Sequence, residues 1–254
     1  MRQMAQASVS TDPITRLTVN ERCAWQSCRG VPGPDSIFCP DCLARMAERR
    51  KAFMERLSKE ATERLPEYIA EIGIPEKYRS ARIEEMKLLP AKYARWAREY
   101  ADRRGSLFLC PCAGSGKTYF AAAVLRAIVE TEISRMVEHG ELTRPSAAFV
   151  NVPALLTDLR SLGMKASAMR VKTLIARAFL VLDDMGAESI SDWTGDILYQ
   201  IVNGRYNEGR PLIVTSNLML EEIGERLHER LSSRLFEMCR VIEFPKRDLR
   251  KEIR

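Results

Sequence analysis

The stretch Ser106-Leu-Phe-Leu-Cys-Pro-Cys-Ala-Gly-Ser-Gly-Lys-Thr118 decides the fold of this chain. An apolar strand runs into a glycine turn that ends in Gly-Lys-Thr and opens an alanine-rich helix, which is the context of a phosphate-binding loop. Its backbone N–H groups can surround phosphate oxygens, the Lys117 ammonium can reach the terminal phosphates, and the Thr118 hydroxyl can bind Mg²⁺. The loop therefore predicts an ATP site. The residues expected to contact the nucleotide are Cys112, Ala113, Gly114, Ser115, Gly116, Lys117, Thr118 and Tyr119.

The loop departs from the usual spacing at one position, because Pro111 stands where glycine is normal. Proline fixes φ, supplies no N–H and favours an extended conformation at the preceding Cys110. This departure keeps a second function class open. In that alternative the chain is a non-hydrolysing adaptor that uses nucleotide as a switch.

Composition places the chain among globular proteins, since 46% of its 254 residues are hydrophobic. Lys and Arg outnumber Asp and Glu by 20 to 15 up to Gly105 and by 20 to 19 beyond it, which is compatible with a polyanionic partner such as DNA. The chain has no run of eighteen apolar residues and no apolar signal core at its start. We therefore expect a cytoplasmic protein without a membrane partner. In that compartment, seven cysteines favour metal ligation or free thiols over disulfides.

Four of these cysteines form two pairs near the N-terminus, Cys23 with Cys28 and Cys39 with Cys42. Two cysteine pairs on two turns are typical of a closed tetrahedral zinc site with four thiolate ligands. Such a site would fold a segment that is too short to build a core, because metal-binding free energy becomes folding free energy. The alternative is four reduced cysteines without a metal.

Short apolar segments separated by helix-length stretches predict an α/β fold, in which a five-stranded parallel sheet is flanked by helices. An amphipathic helix is expected from Leu43 to about Leu65, with an apolar stripe that packs on its own domain or binds a partner. The expected divisions are a flexible tail at 1–20, a zinc module with this helix at 21–70, linker helices at 71–105 and an ATPase domain at 106–254. The five predicted strands are Leu107–Leu109, Ala147–Asn151, Phe179–Leu182, Leu212–Thr215 and Val241–Phe244.

Polar side chains follow two of these strands. The apolar run from Phe179 delivers Asp183 and Asp184 at its carboxyl end, which is a Walker B pattern. Asp183 would bind Mg²⁺ together with Thr118, and Asp184 would orient or deprotonate the attacking water. Asn217 ends a neighbouring strand and could contact the γ-phosphate.

Taken together, seven motifs resemble the DnaC/DnaI helicase loaders and the related IstB transposition ATPases, a branch of the AAA+ proteins. The resemblance covers about residue 70 to the end. Its motifs are Ile74-Pro-Glu-Lys-Tyr78, the Gly-Ser-Gly-Lys-Thr loop, Leu182-Asp-Asp-Met-Gly-Ala-Glu188, Ser191-Asp-Trp193, Asn203-Gly-Arg-Tyr206, Pro211-Leu-Ile-Val-Thr-Ser-Asn217 and Arg230-Leu-Ser-Ser-Arg-Leu235.

The resemblance implies an Mg²⁺-dependent ATPase in which Lys117, Asp184 and Asn217 serve catalysis. Arg234 would be the arginine finger, assisted by Arg230, and Arg250 would contact the nucleotide as the sensor 2 arginine. A finger acts on a neighbouring subunit, so ATP is expected to drive head-to-tail self-assembly. The implied partners are a hexameric replicative DNA helicase, held by the N-terminal zinc module, and single-stranded DNA. The alternative within the family is an IstB-like helper that binds a transposase on duplex DNA.

A basic segment between the second and third strands is the candidate for single-stranded DNA contacts. Arg160, Lys165, Arg170 and Lys172 surround a stretch that begins at Gly163, which predicts an exposed flexible loop. The sequence shows no aromatic residue in this segment on which a base could stack.

Overall fold

The computed structural model describes residue 24 and residues 28–32, 36–187 and 191–251, with the side chain of residue 250 excepted. The predicted tail at 1–20 and the predicted ligand Cys23 lie outside the described residues. The chain divides into two compact units, residues 1–57 and residues 58–254. The finer boundaries expected from the sequence stay predictions.

The second unit is built on one five-stranded sheet in which all neighbouring strands run parallel, in the order β2-β3-β4-β1-β5. The predicted α/β fold with a five-stranded parallel sheet is therefore confirmed. The strands are β1 (Ser106–Cys110), β2 (Ala147–Asn151), β3 (Phe179–Met185), β4 (Leu212–Ser216) and β5 (Cys239–Glu243).

Eight α-helices and three short 3₁₀ turns occupy the described residues. Within that part of the chain, no helix combines the length and the apolar character needed to cross a bilayer. The helices are α1 (Pro40–Glu71), α2 (Ala91–Arg103), α3 (Lys117–Glu138), α4 (Val152–Ser161), α5 (Met164–Ala176), α6 (Asp192–Asn207), α7 (Leu220–Arg226) and α8 (Glu229–Met238). The 3₁₀ turns are Glu76–Tyr78, Ile83–Glu85 and Leu249–Lys251.

The sheet is covered on both faces, and β1 shows how its strands serve two cores. Successive side chains of a strand point to opposite faces. Leu107 and Leu109 join the core formed with α2 and α3, whereas Phe108 and Cys110 join the core on the α4–α8 side. This explains why the strand is an unbroken apolar run instead of an alternating one.

The strand order also positions the polar side chains that follow the strands. Because β4 lies between β1 and β3, the carboxyl ends of three neighbouring strands meet at one edge of the sheet. Ligands of open α/β sheets bind at this edge. The phosphate loop after β1, the carboxylates at the end of β3 and the polar end of β4 therefore lie side by side.

A buried arginine holds the helical layer beside this sheet. Arg205 has no exposed surface, and burial lowers its pKa to about 10, so the guanidinium is charged at neutral pH. It caps the carbonyl end of α5, which would otherwise carry unsatisfied acceptors. Its guanidinium donates to the backbone oxygens of Leu174, Ile175, Arg177, Ala178 and Pro211. The Arg of the Asn203-Gly-Arg-Tyr206 motif is thus a structural residue.

Candidate functional site

A cavity of about 920 Å³ lies at the carboxyl edge of the sheet in the second unit. One end is polar and is formed by the phosphate loop and the ends of β3 and β4. The other end is mostly apolar. Its lining residues are Pro75, Lys77, Tyr78, Glu85, Met86, Leu88, Leu89, Ala113, Gly114, Ser115, Gly116, Lys117, Thr118, Tyr119, Asn151, Asp183, Asp184, Thr215, Asn217 and Leu249.

The phosphate loop adopts a conformation that its glycines make accessible. Gly114 and Gly116 have φ values of 72° and 94°, in the left-handed region that favours glycine. Cys112 also has a positive φ, 68°, and its carbonyl accepts a 2.9 Å hydrogen bond from the Ser115 hydroxyl. The loop is closed by its own backbone and side chains, and α3 begins directly after it at Lys117.

Lys117 is the cation of this loop, and only 6% of its surface is exposed. Its Nζ donates to the carbonyl oxygens of Pro111, at 3.2 Å, and Cys112, and to Oδ1 of Asn217 at 3.0 Å. Burial lowers the pKa of Lys117, while the nearby Cys112 and Asp184 favour its charged form. The ammonium is therefore held at the polar end of the cavity, where a phosphate would replace loop carbonyls as its partner.

The two carboxylates of β3 lie at a shift in strand register. Leu182 pairs with Val214 and Met185 with Ser216, so two residues of β3 face one residue of β4. Such a bulge re-aims side chains and is common beside active sites. Asp184 takes a φ of 61°, which is uncommon for a residue other than glycine.

Asp183 is the more buried of the two carboxylates, with 6% of its surface exposed. Burial raises its pKa, and hydrogen bonds from Thr215 and Thr118 act in the opposite direction. Thr118 and Asp183 both line the cavity, close enough for the Thr118 hydroxyl to affect the pKa of Asp183, as the prediction of a shared Mg²⁺ required. A hydroxyl and a carboxylate oxygen are the hard donors that Mg²⁺ prefers, so these residues fit the ion.

Asn217 joins the two halves of the polar end. Its side chain accepts the bond from Lys117 and donates through Nδ2 to Oδ1 of Asp184 at 3.1 Å. The loop residues 113–119, the two carboxylates and Asn217 thus meet in one cavity, whereas Cys112, also predicted to contact the nucleotide, does not line it. Their individual roles stay proposals.

The apolar end of the cavity was not recognised from the sequence. Tyr78, Met86, Leu89 and Leu249 line it beside the phosphate loop, and together they offer apolar surface of the kind that buries a nucleotide base. From the sequence, the segment before α2 is assigned to the linker helices at 71–105 and is given no role in the nucleotide site. The only local signal was the Pro-Glu-Lys-Tyr run at 75–78, whose contact with the loop depends on long-range packing.

The segment after β5 closes the outer side of the phosphate loop. The Leu249 N–H donates to the Gly114 carbonyl at 2.9 Å. A Cβ atom added at Gly114 would lie 2.0 Å from Oδ1 of Asp248, so a larger residue would displace the Asp248 side chain and would be strained at a φ of 72°. The side chain of Arg250, predicted to contact the nucleotide, lies outside the described residues.

Arg230 and Arg234 both lie on α8 in the described part of the chain, and neither lines the cavity of its own chain. Arg234 donates through Nε to Oδ1 of Asn203 at 3.2 Å and through a terminal nitrogen to Glu237 at 3.2 Å. Its guanidinium lies 4.4 Å from the centre of the Tyr206 ring. These contacts hold Arg234 at the surface of the helical layer.

The cysteine cluster of the first unit fits a zinc site in the three ligands that are described. The Sγ atoms of Cys28, Cys39 and Cys42 all lie within 4.8 Å of one another. Cys28 and Cys39 Sγ are 3.6 Å apart, which is far beyond a disulfide and close to the spacing of about 3.8 Å that tetrahedral zinc thiolates require. The Gly30 N–H donates to the Cys28 sulfur at 3.3 Å, as a ligating thiolate would accept.

The basic segment after β2 is a helical hairpin, so the prediction of a flexible loop was wrong. Residues 160–172 fall in α4 and α5, which are separated only by residues 162 and 163. The segment itself holds no aromatic residue, as the sequence showed, but the fold brings one next to it. The Arg160 guanidinium lies 4.9 Å from the centre of the Trp193 ring, which α6 brings from elsewhere in the chain.

Comparison with known proteins adds to this geometry. A family model described as IstB-like ATP binding protein matches residues 93–253, more than half of the chain. The replicative helicase loader DnaI of Bacillus subtilis (strain 168) is 28% identical over 119 residues, which cover 46% of this chain and 34% of that protein. The phage-like element PBSX protein XkdC of the same strain is 27% identical over 143 residues, which cover 54% of this chain and 48% of that protein. The chain spans less than half the length of the curated relatives it matches.

Among solved structures, the crystal structure of the DnaC helicase loader superimposes with a TM-score of 0.57 and 24% identity. The match covers 67% of this chain and 100% of that chain. At this identity the likeness shows the fold, so the predicted AAA+ architecture is confirmed.

Proposed function

This chain belongs to the IstB-like ATP-binding protein family, and from that premise we propose that it is an Mg²⁺-dependent ATPase that loads a replicative helicase onto single-stranded DNA. The observation that carries the ATPase proposal is the continuous set of contacts from Lys117 through Asn217 to Asp184. It joins a phosphate-binding cation to a carboxylate that can act on water. Phosphoryl transfer depends mainly on such positioning and on charge stabilisation.

In this proposal each residue has one task. Lys117 and the loop N–H groups bind the phosphates, and Thr118 and Asp183 hold Mg²⁺, which when bound neutralises phosphate charge. Asp184 orients the attacking water and accepts its proton. Asn217 fixes the positions of the Asp184 and Lys117 side chains relative to each other. It contacts the γ-phosphate once the nucleotide has replaced the present hydrogen-bond partners of Lys117.

The loader proposal is supported by similarity to DnaI and by the fold shared with the DnaC loader. The cysteine cluster belongs to the first unit and the cavity to the second, so a unit other than the proposed ATPase is available to bind a partner protein. The family match equally favours an IstB-like helper whose partner is a transposase. A partner experiment therefore has to discriminate between the two.

We expect tagged Asp184→Asn protein to retain a hexameric DNA helicase from a lysate of its own host in the presence of Mg²⁺-ATP. This variant keeps the phosphate loop and loses the group that activates water, so the ATP-bound complex persists. The measurements are mass spectrometry of the retained proteins and steady-state phosphate release. Lys117→Ala, which cannot hold nucleotide, is the matched control.

Two results would change this proposal. Recovery of a transposase without a helicase would assign the chain to transposition. Absence of phosphate release by the wild-type protein, with none lost in Asp184→Asn, would favour the non-hydrolysing adaptor.

We place the contact with single-stranded DNA on the hairpin of α4 and α5. Arg160 lies over Trp193 and donates to the Thr194 hydroxyl at 3.5 Å, while Lys165, Arg170 and Lys172 are exposed. An aromatic ring beside exposed cations is the combination that binds single strands, since bases stack and phosphates pair with the cations.

Trp193→Ala is expected to weaken binding of a fluorescent oligothymidylate by about tenfold, the loss of one stacked base. The dependence of affinity on salt should stay as in the wild type, because no phosphate contact is removed. Fluorescence anisotropy at several salt concentrations measures both quantities. Lys165→Ala serves as the complementary control, since it should reduce the salt dependence. Equal affinity of Trp193→Ala and wild type would contradict this placement.

A further inference from the structure

Thr215 occupies the single position of β4 that faces both carboxylates of β3. The register shift between Leu182 and Met185 leaves Asp183 and Asp184 opposite this one residue. Thr215 itself is almost fully buried, with 1% of its surface exposed. Because it lies inside an apolar strand, a hydroxyl here needs hydrogen-bond partners, and the shift supplies them.

The Thr215 hydroxyl bonds to both residues of the bulge. It donates to Oδ1 of Asp183 at 2.7 Å and accepts the backbone N–H of Asp184 at 2.9 Å. The bulge disrupts the local ladder, and the extra residue would otherwise lose its backbone partner. One hydroxyl therefore satisfies the amide that the bulge releases and fixes an oxygen of the buried carboxylate.

These bonds determine where the two carboxylates point. Successive residues of a regular strand face opposite sides of the sheet, so two adjacent aspartates could not both serve one site. At the bulge, Asp184 takes a φ of 61°, and both carboxylates line the cavity. The Thr215 bond to the Asp184 amide holds that uncommon conformation.

We propose that Thr215 is a positioning residue for ATP hydrolysis, which holds Asp183 towards Thr118 and Asp184 towards the attacking water. The inference rests on the proposed ATPase function and names a residue that acts through both carboxylates. It does not require Thr215 to touch the nucleotide.

Ser216, the next residue of β4, provides a matched control. It is equally buried, and its hydroxyl donates to the Met185 carbonyl at 2.7 Å and accepts the Leu218 N–H at 3.0 Å. It thus ties β4 to β3 without contacting a carboxylate. Loss of this hydroxyl removes a comparable structural bond and leaves the catalytic groups in place.

The test compares Thr215→Val, Thr215→Ala and Thr215→Ser with Ser216→Ala. We expect Thr215→Val and Thr215→Ala to lower kcat by about 10- to 100-fold. Both variants should also raise the Mg²⁺ concentration needed for half-maximal binding of fluorescent ADP, because Thr215 positions a carboxylate that is proposed to hold the ion. Binding of the same ADP without Mg²⁺ should be unchanged. Thr215→Ser should restore both quantities, and Ser216→Ala should lower only the melting temperature.

The outcomes separate this inference from the function on which it rests. Failure of the wild-type protein to release phosphate would contradict the ATPase proposal itself. Wild-type turnover together with unchanged kcat and Mg²⁺ dependence in Thr215→Ala would overturn the role of Thr215 alone. If Thr215→Val does not fold, the comparison of Thr215→Ala with Thr215→Ser isolates the hydroxyl. An equal loss in these two variants would also overturn it.

Discussion

Arg234→Ala is expected to lower the steady-state rate of ATP hydrolysis by about 10³-fold or more, the range measured for loss of an arginine finger. Nucleotide affinity should be unchanged, because Arg234 does not line the cavity of its own chain. Phosphate release and binding of fluorescent ADP measure the two quantities.

The physical reason is the position of the guanidinium. Asn203 and Glu237 hold it on α8, and Tyr206 lies under its plane. A planar, permanently charged group held in this way is preorganised to meet a phosphate on another subunit. We propose that head-to-tail assembly brings it to the neighbouring nucleotide, because such an interface places one surface of a protomer against a different surface of the next.

Mixing two inactive variants tests this arrangement. Lys117→Ala subunits lack nucleotide and carry an intact Arg234, whereas Arg234→Ala subunits carry an intact cavity. Turnover should return when the two are mixed, since a competent cavity then meets a competent arginine across an interface. Arg226→Ala, which removes an exposed arginine from the end of α7, is the control that should keep full activity. A mixture as inactive as either variant alone would contradict action across an interface.

Removal of zinc is expected to unfold the first unit and to leave nucleotide binding by the second unit intact. Structural zinc contributes about 10–16 kcal/mol of apparent binding free energy at neutral pH in small zinc-binding peptides, and little else can stabilise so short a segment. The buried cluster within this unit consists mainly of the cysteines themselves, with Phe38 packed against them. We therefore propose that the fold of this unit depends on zinc.

Cys39→Ser should eliminate the bound zinc and make the region between residues 24 and 57 sensitive to limited proteolysis. Zinc content is measured by elemental analysis, and binding of fluorescent ADP reports on the second unit. Cys239→Ala is the matched control, since Cys239 is buried in the core beside the sheet, and burial strongly raises the pKa of its thiol. That variant should keep its zinc. Metal-free wild-type protein with the same proteolysis pattern as the purified protein would contradict a structural zinc site.

Much of the fold could be read from short segments. Each of the five predicted strands overlaps an observed strand, because mainly apolar runs of three to five residues between turn signals and helix-length segments favour strands. The helix after the phosphate loop follows from the same local rules. The placement of Thr118 and Asp183 in one cavity was also predictable, since the carboxyl ends of parallel strands meet at one edge.

The register of β3 and β4 was not predictable in this way. The sequence pattern assigns Thr215 to a strand and nothing more. Its contacts with both aspartates depend on a bulge that is defined by the pairing of β3 with β4. The apolar wall around Tyr78 and the pairing of Arg160 with Trp193 have the same origin. In each case residues that are distant in the chain meet because of how the strands align and how the helices pack on the sheet.

The sequence by itself thus determined the strands and helices, the phosphate loop and the polar residues at the strand ends. These features depend on backbone preferences and on the alternation of apolar and polar residues, which involve only a few neighbouring positions. The packing of those elements determined that Thr215 contacts both aspartates. It also determined which residues form the apolar end of the cavity and that Trp193 lies next to Arg160. These contacts depend on side-chain volumes and strand register across the whole domain, and no local pattern encodes them.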